Sequence, residues 1–117
     1  MIDENSDKFK EEVDIDELSK IDVRTGTITQ AENVEGSNKL IKLMVDFGKF
    51  GTRQILTGMQ QYYSPEELVG MQTTFIVNLK PRKMLGLESQ GMIFAVDGEK
   101  PIFLVTKDKS ENGASII

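Results

Sequence analysis

The sequence predicts an all-β fold, a five-stranded Greek-key barrel with one short helix between the third and fourth strands. Three observations support this prediction. Short runs of alternating or β-branched residues recur along the chain, turns that contain glycine separate them, and the body has one strong helix start, at residues 64–68. Because strands and helices do not alternate regularly, a doubly wound α/β sheet is disfavoured.

The chain has 117 residues, which is the usual length of one domain. Residues 1–14 are polar and charged, and they contain too few apolar side chains to offset the entropy lost on ordering. We therefore predict a flexible acidic leader over residues 1–14 and a single barrel domain over residues 15–117. One helical turn at residues 16–20 leads into the barrel.

The first three strands are predicted from alternation and from the positions of glycine. In residues 21–33 the apolar positions change phase on either side of Gly26, which predicts a strand bent by a β-bulge. Residues 40–47 alternate regularly and predict a half-buried second strand. A hairpin loop at residues 48–51 then leads into a third strand at residues 52–57.

A short helix follows the third strand. Ser64 is a suitable N-cap, Pro65 takes the first helical position, and Glu67 completes a capping box. Gly70 is expected to end this helix. The remaining strands complete the elements of an OB-fold, a small Greek-key barrel, and they are predicted from apolar, β-rich runs at residues 71–79, 92–96 and 102–105.

Composition excludes several classes of protein. The chain has no cysteine, which excludes disulfide-stapled folds and thiolate metal sites, and no histidine, the usual general base near neutral pH. The carboxylates of Asp22 and Asp46 have no spacing that brings them together for catalysis. No apolar run is long enough for a membrane span, and the N-terminus is acidic. We expect a soluble, cytoplasmic, non-catalytic protein without a metal or cofactor.

Charge is distributed unevenly along the chain. The net charge is −5, yet residues 1–20 hold eight acidic and three basic residues, whereas residues 36–91 hold seven basic and four acidic residues. Lys80, Arg82 and Lys83 place three cations within one turn-sized segment. This local basic patch predicts an anionic partner met at one place, and the asymmetry between segments favours a nucleic acid.

Several segments carry a family resemblance: IDVRTGTI at residues 21–28, NKL at 38–40, RQI at 53–55, Gly58, YSPEELVG at 63–70, NLKP at 78–81 and GLESQGM at 86–92. Together they resemble the tRNA-binding domain found at the C-terminus of methionyl-tRNA synthetase. The same domain occurs as a separate β subunit and as a free-standing tRNA-binding protein. The resemblance covers about residues 15–117.

The resemblance implies a barrel that grips the outer corner of tRNA by its shape and has no chemistry of its own. Such a module would raise the local concentration of tRNA at methionyl-tRNA synthetase, in cis or in trans. In bacterial and archaeal members the C-terminal segment joins a symmetric homodimer. We expect a homodimer here as well, since Ile116 and Ile117 would otherwise be exposed. Packing of this segment on the chain's own barrel is the alternative.

Twelve residues are candidate tRNA contacts. Cations near phosphates supply affinity, whereas amides and hydroxyls at the mouth of a barrel can reach sugars and exposed bases. The candidates are Asn38, Lys39, Lys42, Arg53, Asn78, Lys80, Arg82, Lys83, Met84, Ser89, Gln90 and Met92.

Some candidates also have a structural explanation. Asn78 and Ser89 could cap turns through hydrogen bonds to the backbone, and Asn38 could itself form a turn. Met92 opens an apolar strand and could belong to the core. The cations of residues 80–83 could simply keep a surface loop polar.

Two other kinds of partner are considered. Many barrels of this class stack single strands on aromatic side chains, but Phe75 and Phe94 lie in apolar runs that are typical of a core, which weakens this interpretation. A related branch of the same barrel family is a secretion chaperone that binds unfolded polypeptide. That branch typically lacks the SQGM segment of residues 89–92 and the KPRK loop of residues 80–83, both of which are present here.

Two segments depart from the family pattern. Residues 34–37 stand where relatives often have a turn that contains proline, and Glu35 in this segment would repel phosphate. Residues 112–117 keep only the outline of the usual proline-glycine turn. We therefore expect affinity in the micromolar range of non-specific binders at physiological salt.

Overall fold

The computed structural model describes residues 8–117, so residues 1–7 of the predicted leader lie outside the described part. Residues 8–14 have no regular secondary structure, and helix α1 (Ile15–Leu18) follows them. This short helix is the helical turn predicted just before the barrel. None of the helices within residues 8–117 is long and apolar enough to cross a membrane.

Within the described residues, nine strands and a second helix follow α1. A 3₁₀ turn at Gly48–Phe50 joins the second and third strands, and helix α2 (Pro65–Leu68) lies between the third and fourth strands, as predicted. The strands are β1 (Val23–Asn33), β2 (Ile41–Asp46), β3 (Thr52–Thr57), β4 (Gln72–Ile76), β5 (Arg82–Met84), β6 (Leu87–Ser89), β7 (Met92–Ile93), β8 (Ala95–Val96) and β9 (Ile102–Phe103).

Five strands form the main sheet, in the order β3-β2-β1-β4-β7, and each neighbouring pair is antiparallel. The sheet curls so that the segment after β6 returns to β3, where the Gln90 N–H donates to the Gln54 carbonyl at 2.8 Å. The all-β prediction, a five-stranded OB-fold with a helix between strands 3 and 4, is confirmed. Two smaller two-stranded sheets, β5-β6 and β8-β9, are added to this frame.

The core of the barrel is built from alternate residues of the long strands and from single residues of the other elements. Phe47 and Phe75 meet edge to face, with ring centroids 5.4 Å apart. Leu68 is buried and packs helix α2 against β1. The buried cluster consists of Ile28, Ile41, Leu43, Val45, Phe47, Ile55, Met59, Leu68, Phe75 and Ile93.

The β-bulge of β1 does not lie at Gly26, where the sequence predicted it. The register of β1 against β2 shifts further along, between Ile28 and Gln30. On the opposite edge of β1, the Ile28 N–H donates to the Met71 carbonyl at 3.0 Å, and the Ile28 carbonyl accepts from the Gly70 N–H at 2.7 Å. The segment between α2 and β4 therefore keeps this edge of β1 paired beside the bulge.

Gly26 instead gives β1 room to cross the core. A Cβ atom at this position would lie 2.7 Å from Cγ1 of Val45 and 2.8 Å from the ring of Phe47, which is closer than side chains pack. The pairing of β1 with β4 runs without a register shift from Val23 to Thr27, so no extra residue enters the ladder at Gly26.

Helix α2 begins as the sequence predicted. The Ser64 N–H donates to the Glu67 carboxylate at 2.7 Å, and the Glu67 N–H donates to the Ser64 carbonyl at 3.1 Å. The helix ends at Leu68, before Gly70. Gly70 has a φ of 91°, a conformation that favours glycine, and it turns the chain into β4.

The strands predicted after α2 are longer than the observed ones. The run at residues 71–79 forms β4 only over Gln72–Ile76. The run at residues 92–96 is divided, because β7 pairs with β4 whereas β8 pairs with β9. The chain thus changes sheets at Phe94, which an apolar run alone does not reveal.

Gly26→Ala is expected to lower the free energy of unfolding by about 1 to 3 kcal/mol, because the added methyl group overpacks the core. Urea denaturation measures this change. Gly58→Ala is the matched control, since a Cβ atom at Gly58 would meet nothing within 4 Å, and its effect should stay below about 1 kcal/mol. Equal stabilities of the two variants would contradict the close approach at Gly26.

Candidate nucleic-acid interface

The basic segment forms a short hairpin rather than an open loop. Strands β5 and β6 pair in register, with Lys83 opposite Glu88. A two-residue turn joins them, formed by Leu85 with a φ of 51° and Gly86 with a φ of 76°. We call residues 80–91 the basic hairpin. Strand pairing fixes the backbone at Arg82 and Lys83, which an irregular loop would not.

A cleft of about 120 Å³ opens beside the basic hairpin. Its floor is apolar, and Lys80 and Arg82 are exposed at its rim. Met92 is 44% exposed in this cleft and does not belong to the core. Five of the twelve candidate residues therefore come together here. The lining consists of Leu56, Leu79, Lys80, Arg82, Met84, Ser89, Gly91 and Met92.

Lys83 lies on the other face of the hairpin. Successive side chains of a strand point to opposite faces, so Lys83 points away from the cleft that Arg82 and Met84 line. Its cross-strand neighbour is Glu88. Two cations of the segment thus belong to the cleft, and the third extends the basic surface beyond it.

The outer face of the main sheet continues from the cleft. Lys42 on β2 lies opposite Leu56 on β3 and opposite Glu32 on β1, so the three side chains form one row. Leu56 also lines the cleft and therefore connects Lys42 with the basic hairpin. The Lys42 ammonium forms an ion pair with the Glu32 carboxylate at 2.6 Å, so its charge already has a partner.

Ser89 and Gln90 attach the basic hairpin to β3. The buried Ser89 hydroxyl accepts the Leu56 N–H at 3.0 Å and donates to the Gly91 carbonyl at 3.2 Å. The Gln90 side-chain carbonyl accepts the Gln54 N–H at 3.0 Å. These two side chains therefore take the place of a strand partner for β3 and position the hairpin.

Arg53 supports the hairpin from inside the barrel. It faces the interior, because its cross-strand partner Val45 is buried. Its guanidinium donates to the Val77 carbonyl and, at 3.3 Å, to the Gln90 carbonyl. Arg53 thus joins the two ends of the segment that carries the cations. It does not lie on the outer face of the sheet, where Lys42 is.

Asn78 fixes the start of that segment to the start of β1. Its side-chain NH₂ donates to the Lys20 carbonyl at 2.7 Å, and its side-chain carbonyl accepts the Asp22 N–H at 2.8 Å. Both ends of the amide are engaged with the backbone. The turn-fixing role considered for Asn78 therefore accounts for its contacts in this structure.

Asn38 and Lys39 do not line the cleft. They are exposed in the loop between β1 and β2, where the Ser37 hydroxyl accepts the Lys39 N–H at 3.1 Å. The Gln60 N–H donates to the Lys39 carbonyl at 3.0 Å. The backbone of this loop is therefore fixed, while the exposed Glu35 adds a negative charge to it.

Three cleft residues were not among the candidates: Leu56, Leu79 and Gly91. Alternation in β3 could have identified Leu56, because Ile55 before it is buried in the core. Gly91 permits a close approach, since a Cβ atom there would lie 2.8 Å from the Ile76 carbonyl oxygen. Leu79 had no such signal, because it ends an apolar run that resembles a strand.

The cleft offers cations, apolar side chains and backbone groups to a ligand. Aromatic rings are not part of its lining, since Phe75 lies in the core and Tyr63 packs against Phe103 with centroids 5.0 Å apart. Residues 8–117 contain no group of three or more side chains that could hold a metal ion. The arrangement suits contacts with phosphates and with apolar surface.

Comparison with known sequences gives one family. The model of the family described as "Putative tRNA binding domain" matches residues 23–115. The chain is 44% identical over 118 residues to the methionine-tRNA ligase of Caldanaerobacter subterraneus subsp. tengcongensis, covering 97% of this chain and 18% of that protein. It is 47% identical over 106 residues to the methionine-tRNA ligase of Methanocaldococcus jannaschii, covering 90% of this chain and 16% of that protein. The chain therefore spans less than a fifth of the length of these relatives.

Two solved structures have a similar shape. The MetRS related protein from Pyrococcus horikoshii matches with a TM-score of 0.86 and 39% identity, covering 92% of this chain and 100% of that one. The chaperone CsaA from Bacillus anthracis str. Ames matches with a TM-score of 0.83 and 28% identity, covering 92% of this chain and 100% of that one.

Ser89→Ala is expected to lower the free energy of unfolding by about 1 to 3 kcal/mol, because it leaves the buried Leu56 N–H without an acceptor. Urea denaturation measures the loss, and amide hydrogen exchange should show faster exchange at Leu56. Ser115→Ala, at an exposed position, is the control and should change stability by less than about 0.5 kcal/mol. Unchanged exchange at Leu56 in Ser89→Ala would contradict the attachment of the hairpin to β3.

Proposed function

The chain belongs to the tRNA-binding domain family, and from this premise we propose that it binds tRNA with the basic hairpin and the adjoining cleft. One observation carries the proposal. In a member of this family, Lys80 and Arg82 stand exposed at the rim of a cleft with an apolar floor. The proposed function is binding alone, without a catalytic step.

The cations supply most of the affinity in this proposal. Lys80, Arg82 and Lys83 are exposed, so each can approach a phosphate and release a condensed counterion. Phosphate contacts fix the orientation of an RNA but carry no sequence information. We therefore propose recognition of the shape of tRNA, at its outer corner, with little discrimination among sequences.

The other candidate residues take one of three roles in the proposal. Met84 and Met92 offer polarizable apolar surface beside the cations. Asn38, Lys39 and Lys42 extend the contact along the outer face. The remaining four act by position, because they hold the hairpin in place before the ligand arrives and so reduce the ordering cost of binding; they are Arg53, Asn78, Ser89 and Gln90.

We propose that this protein assists methionyl-tRNA synthetase. The relatives at 44% and 47% identity are methionine-tRNA ligases, and the P. horikoshii protein is MetRS related. A tRNA-binding module in cis or in trans to the catalytic chain converts capture of tRNA into an intramolecular step, with an effective concentration on the order of millimolar for a short linker. We propose the cytoplasm as its location, since this role would be carried out there.

We also propose a homodimer. The backbone of the C-terminal segment pairs with the chain's own barrel, since the Ile116 N–H donates to the Val23 carbonyl at 2.8 Å, but the side chains of Ile116 and Ile117 remain exposed. An exposed apolar surface formed by four side chains lies on and just after β8 and β9, and clustered exposed apolar groups mark contact surfaces. A second copy related by a twofold axis would cover it on both chains. Its members are Val96, Ile102, Leu104 and Val105.

Binding of unfolded polypeptide is the second candidate function. Two observations favour it: the apolar floor of the cleft, which includes Leu56 and Leu79, and the TM-score of 0.83 with the chaperone CsaA. An apolar peptide would use the floor of the cleft but not the cations of the hairpin. Removal of those cations therefore separates the two functions.

The variant Lys80→Ala/Arg82→Ala/Lys83→Ala is expected to weaken tRNA binding by at least about tenfold near physiological salt. It should also reduce the slope of log K against log[salt] by about 2 to 3 units, because three phosphate contacts are lost. Fluorescence anisotropy titrations at several salt concentrations measure both quantities.

The matched control is Lys100→Ala/Lys107→Ala/Lys109→Ala, which removes the same charge from exposed positions outside the hairpin. Its slope should equal that of the parent. Equal losses in both variants would mean that net charge, and not the hairpin, governs binding. The second function would be favoured if the parent binds no tRNA and if both the parent and the triple variant bind unfolded polypeptide.

Val105→Asp is expected to convert the dimer into monomers, because each copy would then bury an unpaired carboxylate at the interface. Size-exclusion chromatography with light scattering measures the mass. Val105 is 68% exposed, and Val69, at 48% exposure beyond α2, provides the control substitution Val69→Asp. A dimer that persists in Val105→Asp would place the interface elsewhere.

A further inference from the structure

The tip of the basic hairpin holds a residue that its turn does not favour. Leu85 has a φ of 51°, in the left-handed region, and Gly86 follows with a φ of 76°. Two-residue turns with positive φ at both positions favour Asn, Asp or Gly at the first position, because a larger side chain crowds the backbone there. Leucine therefore makes this turn less stable than asparagine would.

The Leu85 side chain does not offset this cost by packing within the described chain. It is 64% exposed, and it belongs neither to the buried core nor to the apolar residues packed against the core. It does not line the cleft either. A strained residue is often found where a ligand is held, so an exposed apolar side chain on this turn is a candidate for a contact that forms only with the ligand.

The neighbours of Leu85 indicate the chemistry of that ligand. Arg82 and Lys83 precede it on β5, and both are exposed. An apolar tip next to exposed cations matches a surface in which phosphates flank the flat, apolar face of a base. Leucine can pack against bases, since minor-groove DNA-binding proteins insert leucine and similar side chains between base steps. In folded RNAs the bases of loops and bulges are unstacked and accessible to protein side chains.

We propose that Leu85 packs against an exposed base face at the corner of a folded tRNA, while the cations of the hairpin hold the neighbouring phosphates. The proposal rests on the proposed tRNA binding and adds to it a residue that determines specificity. A regular RNA duplex keeps its bases stacked inside the helix and offers no such face. Leu85 therefore favours folded tRNA over duplex RNA. The cations alone would bind these two RNAs with similar affinity.

Leu85→Asn is the decisive variant, because asparagine tolerates a positive φ but is short and polar. The melting temperature should rise by about 4 °C as the strain is relieved. Affinity for tRNA should nevertheless fall about five- to tenfold, as an apolar contact of this size is lost. The salt slope should equal that of the parent, since no cation is removed. Affinity for a duplex RNA of similar length should be unchanged.

Leu85→Met is the matched control, because it keeps a long apolar side chain on the same strained turn, and it should retain tRNA affinity within about twofold. Parent-like tRNA affinity in Leu85→Asn would overturn the role of Leu85. So would equal losses for tRNA and duplex RNA. In both cases the proposed function still holds if the parent binds tRNA and the variant without the hairpin cations does not. A parent that binds no tRNA would overturn both proposals.

Discussion

The barrel depends on how the edge of β3 is closed. Opposite this strand, the last residue of β6, Ser89, and the next residue, Gln90, supply side-chain oxygens to the N–H groups of Leu56 and Gln54. Without them β3 would be an open edge with unpaired amides next to the core. Because the same residues lie at the end of the basic hairpin, the closure of the fold and the construction of the site rely on one set of contacts.

This shared construction holds the backbone of the charged segment in place. The hairpin is held by β3 at one end, by the Arg53 guanidinium beneath it, and by the Asn78 amide at its start. A ligand that is recognised by shape gains from such order, since less conformational freedom is lost when it binds. Because Arg53, Asn78, Ser89 and Gln90 are engaged within the protein, few polar side chains remain to read base edges. This agrees with the proposed recognition of the backbone.

The sequence predicted the frame of the molecule well, because β2, β3 and α2 carry signals that depend only on local periodicity and capping. It predicted less of the site. Side-chain alternation places Arg53 on the inner face, but only the strand pairing shows that it supports the hairpin. The roles of Gly26 and Gly91 are likewise invisible locally, because each glycine makes room for a neighbour that is distant in sequence. The features that were predicted depend on local propensity. Those that were not predicted depend on contacts between residues distant in sequence.

The ion pair between Lys42 and Glu32 gives the outer face a built-in competitor for phosphate. When a lysine neutralises a phosphate, cations condensed on the nucleic acid are released into the solvent, and this gain in entropy drives association. The Glu32 carboxylate is tethered to the protein and gains no such freedom when an anion displaces it. A phosphate at Lys42 must therefore displace the Glu32 carboxylate, so it gains less there than at a lysine without an ion pair. This cost weighs more against an isolated phosphate or a mononucleotide, which would make few other contacts, than against a large, rigid polyanion that makes many.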